Sequence, residues 1–146
     1  MKSPFFSVKE LVCKHVYERY GENAAMFLDD KLIETLNVIR EQILCAPMTV
    51  NNWHAGGNFT QRGLRCNICE LVKSKTDAGR LYLSAHMLGK AVDCNVEGMT
   101  AEEARRLIIA KQELLPYPIR LEDGVSWLHF DLYKNGKNEK VYLFKA

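Results

Sequence analysis

Two side chains suited to a metal stand in the stretch Ser84-Ala85-His86-Met87-Leu88-Gly89-Lys90-Ala91-Val92-Asp93: an imidazole at His86 and, seven positions on, a carboxylate at Asp93. On a helix, residues at that spacing share a face but lie about 10 Å apart along the axis, because each residue rises roughly 1.5 Å. A turn that folds His86 back beside a following strand carrying Asp93 would let both reach one ion. Gly89 supplies the backbone freedom for such a turn. A third ligand candidate, His129, lies in Ser126-Trp127-Leu128-His129-Phe130-Asp131, where apolar and polar residues alternate as in a half-buried strand. Two histidines and one aspartate, with a fourth position left for water, make a workable open catalytic zinc site.

The pattern Ser84-x-His86-x-x-Gly89-x-Ala91-x-Asp93, followed by Trp127-x-His129, resembles the zinc D-alanyl-D-alanine carboxypeptidase family and its phage endolysin branch. That branch cleaves peptidoglycan stem peptides, and its fold is shared with the Hedgehog signalling domain. Five positions at fixed offsets make the first motif fairly specific, and the similarity covers most of the chain, from about Phe6 to Tyr133. The resemblance implies an α+β fold of the Hedgehog/D-Ala-D-Ala peptidase kind, a mostly antiparallel sheet with helices packed on one side. It also implies one Zn²⁺ ion held by His86, Asp93 and His129, and a peptidoglycan peptide as substrate. Both a D,D-carboxypeptidase and an L-alanyl-D-glutamate endopeptidase stay open, as does a non-catalytic zinc- or wall-binding module on the same fold.

Two further roles follow from the same resemblance. A Ser-Gly-Tyr-Arg-like segment donates an arginine to the family's active site. Arg62-Gly63-Leu64-Arg65 matches it, with Arg65 in the arginine position and Arg62 where the family has serine. A planar guanidinium suits a substrate carboxylate or a developing oxyanion. The family also places an acidic residue a few positions before the last histidine, to move a proton between water and the leaving amine. Three positions before His129 stands Ser126, which cannot do this. Glu122 and Asp123 stand seven and six positions before it, and a turn through Gly124 could bring either over the metal. Asp123 has the offset of the Hedgehog-like branch; Glu122 is the first choice of base. Asp131 shares a strand face with His129 and is expected to orient a ligand or Arg65. Trp127 is expected to pack under the site and Ser84 to make a turn hydrogen bond. His54 is expected on the surface, and His15 is expected to face outward from a helix without a role.

The elements that must position these residues are legible in outline. The 146 residues suffice for one domain, taken as 1–146 and as a monomer. A net charge of +2 gives no reason to expect a nucleic-acid partner. No apolar run approaches a membrane span, and no apolar leader follows Lys2, so synthesis in a reducing cytoplasm is expected. Action on the wall would then follow lysis or delivery. Five cysteines, an odd number, fit free thiols, and Cys66-x-x-Cys69 alone is a weak metal signal without a second pair. Ser7 with Glu10 predicts a helix that carries Leu11, Val12, Val16 and Tyr20 and stops at Gly21. Asp29 opens a second, with Leu32, Ile33, Leu36, Ile39 and Ile43 as its stripe. Thr100 with Glu103 opens a third, which is expected to run through about Leu114. A short strand at 48–52 leads into an irregular loop at 53–65, and 73–80 reads as an exposed loop. Strands follow at 91–96, 119–122, 126–133 and 140–144, the last an edge strand joined to the one before it by an Asn135-Gly136 hairpin turn.

Overall fold

The computed structural model describes residues 1–134, 136 and 139–146. In chain order the elements are α1 (Val8–Leu11), α2 (Lys14–Tyr20), α3 (Asp30–Val38, running on as a π-helical turn at Ile39–Ile43), β1 (Met48–Thr49), α4 (Glu70–Asp77), β2 (Ala91–Val96), α5 (Ala101–Ala110), β3 (Ile119–Glu122), β4 (Leu128–Asp131) and β5 (Val141–Phe144). The architecture is α+β around a mixed sheet of order β1-β2-β4-β3-β5.

Local side-chain chemistry accounts for three helix starts. The Glu10 carboxylate accepts from the Ser7 N–H at 2.7 Å. Asp29 accepts from the Lys31 N–H at 2.9 Å. Thr100 and Glu103 bond each other's backbone N–H groups, both at 3.1 Å. Each contact satisfies a donor that the first turn leaves free.

The sheet has two chemically different faces. One carries Val92, Cys94, Leu121, Leu128 and Phe130, which join Leu32, Leu36 and Ile39 of the α3 helix and Ala104 and Ile108 of α5 in one core. The other carries Asp93 on β2, His129 and Asp131 on β4, and Arg120 and Glu122 on β3. The predicted alternation of apolar and polar residues is present, yet all four residues of β4 are buried. Asp93, His129 and Asp131 on the polar face are buried too, so they must find polar partners.

Four local expectations change. The first helix is broken: Val12 is extended (φ −126°, ψ 157°) and forms a parallel bridge with Leu64. Leu64 donates to the Leu11 carbonyl at 2.8 Å, and Cys13 donates to the Leu64 carbonyl at 3.0 Å. Backbone bonds to a distant segment thus replace a turn of helix. The region read as an exposed loop at 73–80 is largely α4, whose polar surface is spanned by a Lys73–Asp77 pair at 2.6 Å. Only Val72 of α4 is buried, so no apolar stripe announced the helix. The third helix ends at Ala110, and a 3₁₀ turn at Gln112–Leu114 completes the stretch. Finally, β5 is an edge strand as expected, but it runs parallel to β3 rather than folding back on β4. Asn135, half of the expected hairpin turn, lies outside the described residues.

Candidate metal centre

Strand pairing builds the first half of the site. β2 and β4 are antiparallel, with Asp93 directly opposite His129. Cross-strand neighbours of this kind have Cβ atoms about 4.5–5.5 Å apart, within reach of one hydrogen bond. His129 Nδ1 lies 2.7 Å from Asp93 Oδ1. The second half is the turn through residues 85–89, which brings His86 Nε2 to 3.2 Å from Asp93 Oδ2. The turn closes through a Lys90 N–H bond to the Ala85 carbonyl at 2.9 Å. Gly89 sits in it at φ +66°, and a Cβ there would collide with the Phe27 carbonyl oxygen. Gly89→Ala therefore combines left-handed strain with a backbone clash. Its expected cost is more than about 2 kcal/mol of stability, with metal uptake weakened as well. Denaturant unfolding and metal titration of the variant check this; wild-type values in both would refute the turn's role.

One ligand atom from each of His86, Asp93 and His129 lies within 4.8 Å of the others, so the three could hold a metal ion. All three residues are buried. The remaining imidazole nitrogens are held as ligands' outer nitrogens are. His86 Nδ1 lies 2.9 Å from the Gly63 carbonyl, which can only accept, so Nδ1 carries the proton and Nε2 is free to ligate. His129 Nε2 lies 2.8 Å from Asp131 Oδ2. Asp131 is held in turn by both ends of the Arg120 guanidinium, at 2.8 and 2.9 Å. The donor set thus fits a divalent cation on its own chemistry: two imidazole nitrogens and a carboxylate, each oriented from behind.

Without a metal the cluster is an ion network. Burial opposes the His129 charge, but hydrogen bonds to Asp131 and Asp93, and their charges, push the imidazole up to about 9. Burial likewise opposes the Asp93 charge, and the His129 and His86 contacts outweigh it, holding the carboxyl well below the usual carboxylate range. The sign of the consequence is clear. The His129 contribution to metal-free stability is fully present below about pH 6.5, its unfolded value, and is lost as pH rises through about 9. A metal must displace that proton. At pH 7.5 metal uptake by His86, Asp93 and His129, taken alone, is therefore expected to release about one proton, with apparent affinity at this centre rising up to about tenfold per pH unit toward pH 9. Calorimetric titration in buffers of different ionisation enthalpy reads this directly. A heat of binding independent of the buffer would refute it.

The three residues border an open cavity of about 290 Å³ that also meets Arg65, Ser84, Arg120, Glu122, Trp127 and Phe144. Arg65 Nη2 lies 3.2 Å from Asp93 Oδ2, while its Nε donates to the Gln61 carbonyl at 2.6 Å. Ser84 carries a buried hydroxyl with no protein partner. Asp123 is absent from the lining and lies 3.9 Å from Arg105 instead. Clefts of about 470 and 510 Å³ elsewhere are lined by none of the three ligand residues. His54 is exposed, against the edge of Trp53.

Two arginines escaped the reading of the sequence. Arg120 fixes Asp131, and only the β3–β4 register, which pairs them, reveals it. Arg105 is buried on α5, where its stripe position suggested nothing. It donates to the carbonyls of Glu122, Val125 and Trp127 at 3.4, 3.1 and 3.2 Å, holding the loop that leads from Glu122 back to His129.

Compared with known proteins, the chain matches no family model, no curated protein and no solved structure. Among the described residues no helix is long and apolar enough to cross a membrane.

Proposed function

We propose that this chain is a zinc metallopeptidase of the Hedgehog/D-Ala-D-Ala peptidase fold that hydrolyses peptide bonds of peptidoglycan stem peptides. The observation that carries the reading is the convergence of His86, Asp93 and His129 on one point, beside a cavity that also meets Arg65 and Glu122. When bound, zinc would supply a Lewis acid and an acidified water.

The chain's own residues supply the rest. Glu122, on the same sheet face as His129, takes the proton from the attacking water and passes it to the leaving amine. With Nε on Gln61 and Nη2 on Asp93, Arg65 offers its Nη1 to the developing oxyanion or to a substrate carboxylate. Asp131 and the Gly63 carbonyl keep the two imidazoles in one tautomer and orientation. Asp123, paired toward Arg105, serves the loop rather than the proton transfer. A non-catalytic binding module would need no base at the cavity, and the place of Glu122 favours the peptidase reading.

Digestion of purified peptidoglycan fragments by the zinc-loaded protein, read by mass spectrometry, tests the proposal. Loss of a terminal D-alanine identifies a carboxypeptidase. A cut between L-alanine and D-glutamate identifies an endopeptidase. Intact fragments across several wall chemistries, with zinc bound, would leave the binding module as the better reading.

A further inference from the structure

A second cluster of metal-ligating side chains lies away from the cavity. Cys13, His15, Cys66 and Cys69 each present one ligand atom, and the four atoms lie within 4.8 Å of one another. They come from two segments more than 50 positions apart. Cys13 caps α2 and His15 sits in its first turn. Cys66 to Cys69 form a turn, closed by a Cys69 N–H bond to the Cys66 carbonyl at 3.2 Å, and Cys69 caps α4.

The spacings among His15, Cys66 and Cys69 match three edges of a tetrahedron, with Cys13 in reach of the fourth corner. Zinc–sulfur bonds of about 2.3 Å and zinc–nitrogen bonds of about 2.0–2.1 Å require S···S edges of about 3.8 Å and S···N edges of about 3.6 Å. Cys66 and Cys69 Sγ are 3.7 Å apart, and His15 Nδ1 lies 3.5 Å from Cys66 Sγ and 3.7 Å from Cys69 Sγ. A disulfide would need the sulfurs about 2.05 Å apart, and all five cysteines are free. The Cys66 N–H points at Cys69 Sγ at 3.4 Å, a contact that stabilises a thiolate.

We propose that Cys13, His15, Cys66 and Cys69 form a second metal site, a closed structural zinc site of the Cys₃His type. Four protein ligands leave no open position, so this site holds structure and performs no catalysis. What it holds is the loop between β1 and α4. The Cys-x-His segment follows Val12, and the Cys-x-x-Cys segment follows Leu64, the two residues joined in the parallel bridge. Between bridge and cavity stand Gly63, whose carbonyl orients His86, and Arg65, which contacts Asp93. Gly63 lies so close to the Leu11 carbonyl that a Cβ could not fit. The second metal thus pins the N-terminal helices against the backbone that orients the first site.

The proposal does not depend on the peptidase reading, and its test separates the two. Elemental analysis of zinc-loaded protein should find two equivalents per chain. The cobalt-substituted protein should show an intense near-ultraviolet thiolate-to-cobalt band. Asp93→Ala should lose one equivalent and keep that band. The Cys66→Ser/Cys69→Ser double variant should lose one equivalent and the band. Should the double variant fail to fold, the spectrum of the unmodified cobalt protein decides alone. A single equivalent that disappears in Asp93→Ala, or a cobalt protein with no thiolate band, would overturn the assignment.

Discussion

Asp93→Ala is expected to lose metal and activity together. Asp93 touches both other ligand residues and Arg65: His129 at 2.7 Å, His86 at 3.2 Å and Arg65 at 3.2 Å. Its removal takes away an anionic ligand and leaves the buried His129 and the half-buried Arg65 guanidinium without the carboxylate they share. Losing a partner merely behind a ligand costs about 10–100-fold in metal affinity or activity, so losing the ligand itself should exceed about 100-fold. Asp131 still holds His129, so the metal-free fold should lose less than the roughly 3–5 kcal/mol that a fully stranded buried charge costs. Asp93→Asn keeps the shape and removes the charge, so it should fold better than the alanine variant and still bind metal poorly. Zinc content, melting temperature and turnover of both variants check this. Full zinc uptake at the thiolate-free site with wild-type turnover would refute the ligand assignment.

Glu122→Gln is expected to keep its metal and lose turnover. Glutamine has the shape of glutamate and cannot accept the water's proton, so kcat should fall by about 10²–10⁴-fold with zinc content and melting temperature unchanged. Glu122 is suited to the test because its side chain makes no hydrogen bond to the cluster among the described residues; its backbone carbonyl accepts from Arg105. Asp123→Asn, by contrast, should leave kcat within a few fold, because Asp123 faces Arg105. A fully active Glu122→Gln variant together with an inactive Asp123→Asn variant would reverse the assignment.

What could be read from the sequence was local. The cap residues Ser7, Asp29 and Thr100 act within three positions, and all three open helices. His86 and Asp93 are joined by a short turn whose glycine has the left-handed backbone it was expected to need. His129 needed only a strand beside β2. The unread features all depend on which distant segments meet. Val12 leaves the helix because Leu64 offers it backbone bonds. Arg120 meets Asp131 only through strand register. β5 joins β3 in parallel, although a short connection suggested a hairpin. His15 and Cys13 stand beside Cys66 and Cys69 through the Val12–Leu64 bridge, and no spacing along the chain announces that contact.

The proposed chemistry rests on a metal held by His86, Asp93 and His129. The most direct measurement follows cleavage of peptidoglycan fragments while the metal is stripped with a chelator and zinc is then returned. Cleavage should vanish with the metal and return with zinc in the unmodified protein, and should not return in Asp93→Ala. Undiminished cleavage by protein shown by elemental analysis to be free of metal would contradict it.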